Sequence, residues 1–201
     1  IYVLDGVNHC VKVFNHQGKF LSSFGGKGSA QGLFIYPVGI TADRQGRIYV
    51  ADTGNHRVQI FTAQGNFISL IPIVPEAHEK PSDPVDVAVD EQRGRLYVVD
   101  NDNHRILLYS LEGLNLTGRW ASEGKGYQQL KYPFFLTVGK DTSILVVDVL
   151  NTRVQVWSPQ GKELHTIGEW GVDLGQFYRP KGVCIDKKNT VFVSDSYIGV
   201  I

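Results

Sequence analysis

The sequence predicts an all-β chain of repeated four-stranded antiparallel sheets, the architecture of a β-propeller. Three observations predict it. Apolar runs close on Asp5, Asp52, Asp100, Asp148 and Asp195, at steps of 47, 48, 48 and 47 residues. Prolines keep nearly the same register at Pro37, Pro84, Pro133 and Pro180, and turn glycines keep it at Gly18, Gly65, Gly113 and Gly161. No segment carries a helical period. A steady register means one supersecondary unit copied in tandem.

One unit, Tyr36 to Phe67, shows how each element arises. Pro37 lacks an N–H and suits the start of a strand. Val38 to Ala42 reads as a short apolar strand. Asp43-Arg44-Gln45-Gly46 is a polar turn with glycine where positive φ is needed. Ile48 to Ala51 is a second strand of β-formers. Asp52-Thr53-Gly54-Asn55 turns the chain again. Val58, Ile60 and Phe61 mark a third strand, Gln64-Gly65 a hairpin turn, and Phe67 to Leu70 a fourth. These strands are apolar on both faces, so each sheet must be covered by its neighbours. A β-sandwich has no reason to repeat its turn residues so regularly. The reading gives a single domain over 1–201, with repeats at 1–35, 36–82, 83–131, 132–178 and 179–201, the first and last partial.

The phrase P-x-G-I-x-x-D-x-x-G-x-I-Y-V-A-D-x-x-N-x-R-V-Q-I-F, carried by Pro37 to Phe61, resembles the NHL repeat. The spacers GKGSAQGLFIYP and GVDLGQFYRP resemble the family's inter-blade connections. The resemblance implies a six-bladed ring. About four repeats and a chain without methionine lead to the expectation of an arc of such a ring.

With 20 basic and 20 acidic residues and a pI near 7.2, the composition argues against a phosphate-binding surface and against nucleic acid as a partner. No apolar run reaches the length of a membrane span. Cys10 stands where other repeats have Arg57, Arg105 and Arg153. Cys184 falls inside a first strand, where burial is expected, and their different repeat positions argue against a bridge.

The most conspicuous cluster is D-x-x-N-x-R: Asp52, Asn55 and Arg57; Asp100, Asn103 and Arg105; Asp148, Asn151 and Arg153. Its recurrence points to a structural task. A turn carboxylate accepts backbone N–H groups, and arginine pairs with a carboxylate. The arginine position holds Cys10 in the first copy and Val200 in the last. The family resemblance also implies where an enzymatic member would carry zinc, on histidines directly after the strand-opening prolines. Here those residues are Val38, Val85, Phe134 and Lys181, so neither a metal site nor a cofactor is expected. No catalytic constellation is recognised. Gly25-Gly26-Lys27-Gly28 lies in a spacer and reads as a loop.

Candidate binding residues come from departures between repeats. Asp86 and Lys181 follow strand-opening prolines, Tyr36, Tyr132 and Arg179 precede them, and Phe135 lies in a first strand. Phe34, Tyr127, Trp170, Phe177 and Tyr178 add rings to the spacers. Tyr, Trp and Arg are the usual anchors of interfaces. The segment Ile71 to Pro81 lacks the glycine-rich spacer and holds Pro72, Pro75 and Pro81, a stiffened loop suited to contact.

The expected function is a non-catalytic scaffold that recognises a protein, peptide or polysaccharide through one loop face. Two alternatives stand beside it: an enzyme with a channel site of lyase or hydrolase type, metal-dependent where other blades supply ligands, and an RNA-binding NHL domain. The wording VSDSYIGVI resembles bacterial envelope members and favours a periplasmic or extracellular location.

Overall fold

The computed structural model describes residues 1–197, and Val200 lies outside them. It divides into two compact units, Ile1–Val87 and Ala88–Ile201. Among the described residues there is no α-helix, and no helix is long and apolar enough to cross a membrane.

The first unit holds β1 (Tyr2–Asp5), β2 (Cys10–Phe14) and β3 (Phe20–Gly25) in one antiparallel sheet. A second sheet runs β4 (Gly39–Ala42), β5 (Ile48–Asp52), β6 (Arg57–Phe61) and β7 (Phe67–Pro72), each strand beside the next in sequence. The reason is local: short polar turns bring consecutive strands back as hairpins. Gly46 and Gly65 close those turns at φ 80° and 85°. The second-to-third strand connection is a 3-10 turn, Thr53–Asn55, closed by His56 in the left-handed region. Burial then follows from stacking. Val11 of the first sheet packs with Ile48, Val50 and Phe61 of the second and with Phe34 of the spacer between them, with Phe24 and Phe67 at the margin. One sheet's face is thus covered by its neighbour, which is why β5 and β6 are buried at every position.

The division between the units falls within β8 (Pro84–Asp90), which joins β9 (Arg95–Asp100), β10 (Arg105–Ser110) and β11 (Leu116–Trp120) in the same order. The second unit continues with a short parallel pair, β12 (Ser122–Glu123) and β13 (Gln129–Leu130). A four-stranded sheet follows: β14 (Pro133–Val138), β15 (Ile144–Asp148), β16 (Arg153–Trp157) and β17 (Glu163–Ile167). The pair β18 (Pro180–Ile185) and β19 (Val191–Asp195) ends the described chain. Val147, Val154 and Val156 pack against Phe177, Val183, Ile185, Val191 and Val193.

The spacers have a common form that the sequence showed only twice. Parallel bridges join Lys27 to Phe34 and Trp170 to Phe177, and β12 with β13 is a third copy at the same separation. Its sequence, Gly124 to Pro133, was obscured because Gln129-Leu130 replaces the Leu33-Phe34 pairing of the first spacer. One expectation is corrected. Cys184 is exposed rather than buried, and Cys10 is half-buried; both are free thiols. Val183 and Ile185 face the apolar cluster, so strand alternation turns Cys184 to the opposite face.

Candidate functional site: an aromatic, cationic cleft

The recurrent motif fixes the loops that carry the cleft. In the first unit the buried Asp52 carboxylate accepts Ile35 N at 2.8 Å through one oxygen. The other accepts Asn55 Nδ2 at 2.9 Å, Arg57 Nε at 2.7 Å and Gln59 Nε2 at 2.9 Å. Arg57 reaches on to the carbonyls of Ser29, Ala30 and Leu33 at 2.8–2.9 Å. Asp148 repeats the pattern with Lys131 N, Asn151 and Arg153, and Arg153 donates to Gln129 O at 3.0 Å. Burial pushes the Asp148 carboxyl up, against the opposing pull of Asn151, Lys131 N and Arg153. Asp100 pairs with Arg105 Nε at 2.8 Å and accepts Asn103 Nδ2 at 3.1 Å. Where Cys10 replaces the arginine, Lys12, at the register of Gln59, reaches Asp5 at 2.6 Å.

The histidines of the register occupy a second recurring position. His9, His56 and His104 have φ of 53–55° and close the second-to-third strand turns. His9 Nδ1 accepts Tyr36 N at 2.9 Å and His104 Nδ1 accepts Tyr132 N at 3.0 Å. The tyrosine rings stand edge-on to them, with centroids 4.9 and 4.5 Å apart. His56 instead meets Ser82 O at 2.5 Å. Tyr36 and Tyr132 have positive φ while Asp83 does not, so the equivalent peptide presents its carbonyl there.

On this frame the second unit forms a cleft of about 590 Å³, lined by Tyr132, Phe134, Trp170, Tyr178, Arg179 and Lys181 together with Asn101, Val149, Leu150 and Thr152. Every lining segment has a local cause. Asn101 donates to Pro133 O at 2.6 Å, tying the β9–β10 turn to the start of β14. Val149 and Leu150 lie on a 3-10 turn that Thr152 closes at φ 53°. Asp195 accepts both Tyr178 N and Arg179 N, at 2.7 and 2.9 Å, where Asp52 and Asp148 each accept one spacer amide, from Ile35 and Lys131. Tyr178 stacks on Tyr197 at 4.0 Å and stands 6.4 Å from Trp170. Trp170 is 69% exposed.

The electrostatics are one-sided. Lys181 Nζ sits 3.9 Å from the Phe134 ring centroid. Burial, with the neighbouring Arg179 charge, pulls the Lys181 pKa down. The lining holds two cations and no carboxylate or imidazole among the described residues. A cation held over a ring beside a like charge gains from an anion placed between the two. Three of the sequence candidates, Tyr132, Arg179 and Lys181, therefore meet in one cleft. Phe135 packs edge-on against Phe134 behind it. Tyr36 is exposed in the first unit, and Asp86, also in that unit, is buried under Gly39. Asn101 and Thr152 escaped the sequence reading because turn residues of those types are common. The available signal was their place inside the repeated motif, Asn101 directly after Asp100 and Thr152 at the position of His9, His56 and His104.

Glu76, His78 and Glu79, on the proline-rich loop, offer three ligand atoms within 4.8 Å of one another. Glu79 already accepts Glu76 N at 2.6 Å, so part of that cluster serves the turn.

The family model described as NHL repeat matches residues 34–61 and 82–108. Both segments are NHL repeats. Their matched stretches contain Asp52, Arg57, Asp100 and Arg105, the residues of the buried pairs. No curated protein matches the chain. Among solved structures, streptogramin B lyase is similar with a TM-score of 0.66 and 16% identity, covering 96% of this chain. This chain spans 64% of that protein's length. A catalytically inactive virginiamycin B lyase from Staphylococcus aureus with quinupristin gives 0.66 and 14%, over 98% of this chain and 66% of that one. A protein of unknown function from Bacteroides thetaiotaomicron gives 0.67 and 19%, over 96% and 49%. At these identities the likeness is one of fold, and the fold is a β-propeller of four-stranded antiparallel sheets.

Proposed function

We propose that this NHL-repeat chain is a non-catalytic binding scaffold that takes a protein, peptide or polysaccharide on the loop face of its second unit. The observation that carries this reading is the composition of the cleft. Stacking faces from Trp170 and Tyr178 surround two cations, Arg179 and Lys181, on loops whose amides are fixed by Asp195 and His104. Rigid rings and fixed charges are the groups that hold a ligand, since little ordering is left to be done on binding. Tyr36, Phe135 and Asp86 are placed outside this cleft; Tyr36, exposed beside His9, offers a second, smaller contact in the first unit.

One observation favours the enzyme alternative. A lysine with a lowered pKa is suited to act as a base, and Lys181 is such a lysine. The two readings separate by turnover. The full chain is incubated with quinupristin, the compound named with the Staphylococcus aureus neighbour, and the products are followed by mass spectrometry. The scaffold reading expects intact quinupristin. Cleavage abolished by Lys181→Gln contradicts it and establishes the lyase-type site.

A further inference from the structure

We infer that the occupant of the cleft is an acidic polysaccharide, a chain of uronic acid residues whose carboxylate sits between Arg179 and Lys181 while a sugar ring lies on Trp170 or Tyr178. This rests on the binding reading above and deepens it.

Charge gives the first half of the argument. Arg179 is exposed, and no carboxylate of the lining opposes it or Lys181 among the described residues. Burial first, and then the Arg179 charge, lower the Lys181 pKa, and a bound carboxylate relieves the repulsion between the two cations. A planar guanidinium matches a carboxylate in two parallel hydrogen bonds.

The second half comes from what the cleft does not offer. A peptide is commonly captured through its main chain. Here five of the loop amides are already engaged. Tyr132 N donates to His104, Tyr178 N and Arg179 N to Asp195, Leu150 N to Lys131 O and Thr152 N to Val149 O. β14 and β18 pair with β15 and β19 along one edge, and the groups that the cleft itself presents are side chains, flat rings and cations. The negative face of an indole or phenol ring attracts the weakly positive C–H face of a pyranose, as it attracts other positive edges. Trp170 and Tyr178 present such faces at the surface, 69% and 39% exposed, with Tyr178 backed by Tyr197 at 4.0 Å. Thr152, whose hydroxyl donates to Asn151 O at 2.8 Å, leaves an oxygen that can accept from a sugar hydroxyl.

The test is calorimetric titration of the full chain with three probes: oligogalacturonate, the same oligomer methyl-esterified, and poly-glutamate of similar charge. Variants Arg179→Gln and Trp170→Ala are titrated alongside, and thermal melts confirm that each stays folded. The expected result is binding of oligogalacturonate that weakens roughly tenfold to hundredfold on esterification or in Arg179→Gln. Trp170→Ala weakens it as well, and added salt lowers the affinity. Absence of oligogalacturonate binding overturns the inference. Poly-glutamate binding that depends on Arg179 also overturns it and leaves the binding scaffold standing with an acidic peptide. Oligogalacturonate binding unchanged in both variants removes the cleft as the site, and with it both the inference and the reading beneath it.

Discussion

Arg57 shows how much of the architecture hangs on single side chains. Its guanidinium meets the fully buried Asp52 carboxylate and three spacer carbonyls. Arg57→Ala leaves a buried carboxylate without its cation, a change of about 3–5 kcal/mol. Chemical denaturation should register a loss of that size, and an unchanged midpoint would show that the pair is solvated and not structural. Tyr109 offers a test in the other unit. Burial pushes its hydroxyl pKa up to about 12, from an ordinary value of 10.0. Folding thus favours the protonated phenol. That contribution is complete below the unfolded value and is lost as pH rises through the folded one, so stability should fall between about pH 10 and 12. Burial raises the Tyr97 phenol as well, so ultraviolet difference titration of Tyr109→Phe should lose one late-ionising phenol and keep another; late titration of unchanged amplitude would contradict the burial of Tyr109. At this scale the sequence was legible where residues recur. Asp52, Asn55 and Arg57 announced a repeated task through spacing alone. It was not legible at Cys184, because only the three-dimensional position of Val183 and Ile185 decides which face of β18 is covered.

Elements were read well because their causes are local. Every strand from Val38 to Leu70 follows from a proline, a turn and a run of β-formers; β4 to β6 fall there, and β7 runs two residues further, to Pro72. Packing between elements is less visible. Gly39 looks in the sequence like a flexible residue, yet it marks a close approach. A Cβ there would lie 2.5 Å from Asp86 Cα and 2.7 Å from Val85 O, both backbone atoms that cannot rotate away. Gly39→Ala should therefore force β4 from β8 and destabilise the first unit by about 1–3 kcal/mol. Thermal melting measures this, and an unperturbed transition would contradict the close approach. The spacer was half legible. Two copies announced themselves by glycine spacing, while the third, β12 with β13, pairs in the same way through different residues. The loop tips are least legible. Before the strand-opening proline both the backbone and the side chain vary: Tyr36 and Tyr132 have positive φ, Asp83 and Arg179 do not, and only the structure shows which neighbours each meets.

Over the whole molecule the repeat supplies a constant frame, and the departures from it supply the cleft proposed to bind. The balance of 20 basic and 20 acidic residues belongs to this scale. It leaves no general attraction for phosphates, so single-stranded RNA should not be shifted by the chain at low ionic strength. A salt-dependent shift would restore the RNA-binding alternative. In the cleft of the second unit two cations, Arg179 and Lys181, stand among rings. Trp170 gives the most direct view of that cleft, because it is 69% exposed while Trp157 is 1% exposed. Acrylamide quenching of tryptophan fluorescence, with and without saturating oligogalacturonate, measures whether a bound ligand covers it. Strong quenching of the free chain and marked protection on binding are expected, with Trp170→Ala losing the protectable component. Equal quenching in the two states, with the ligand shown to be bound, would place recognition elsewhere on the propeller and contradict the assignment of the cleft.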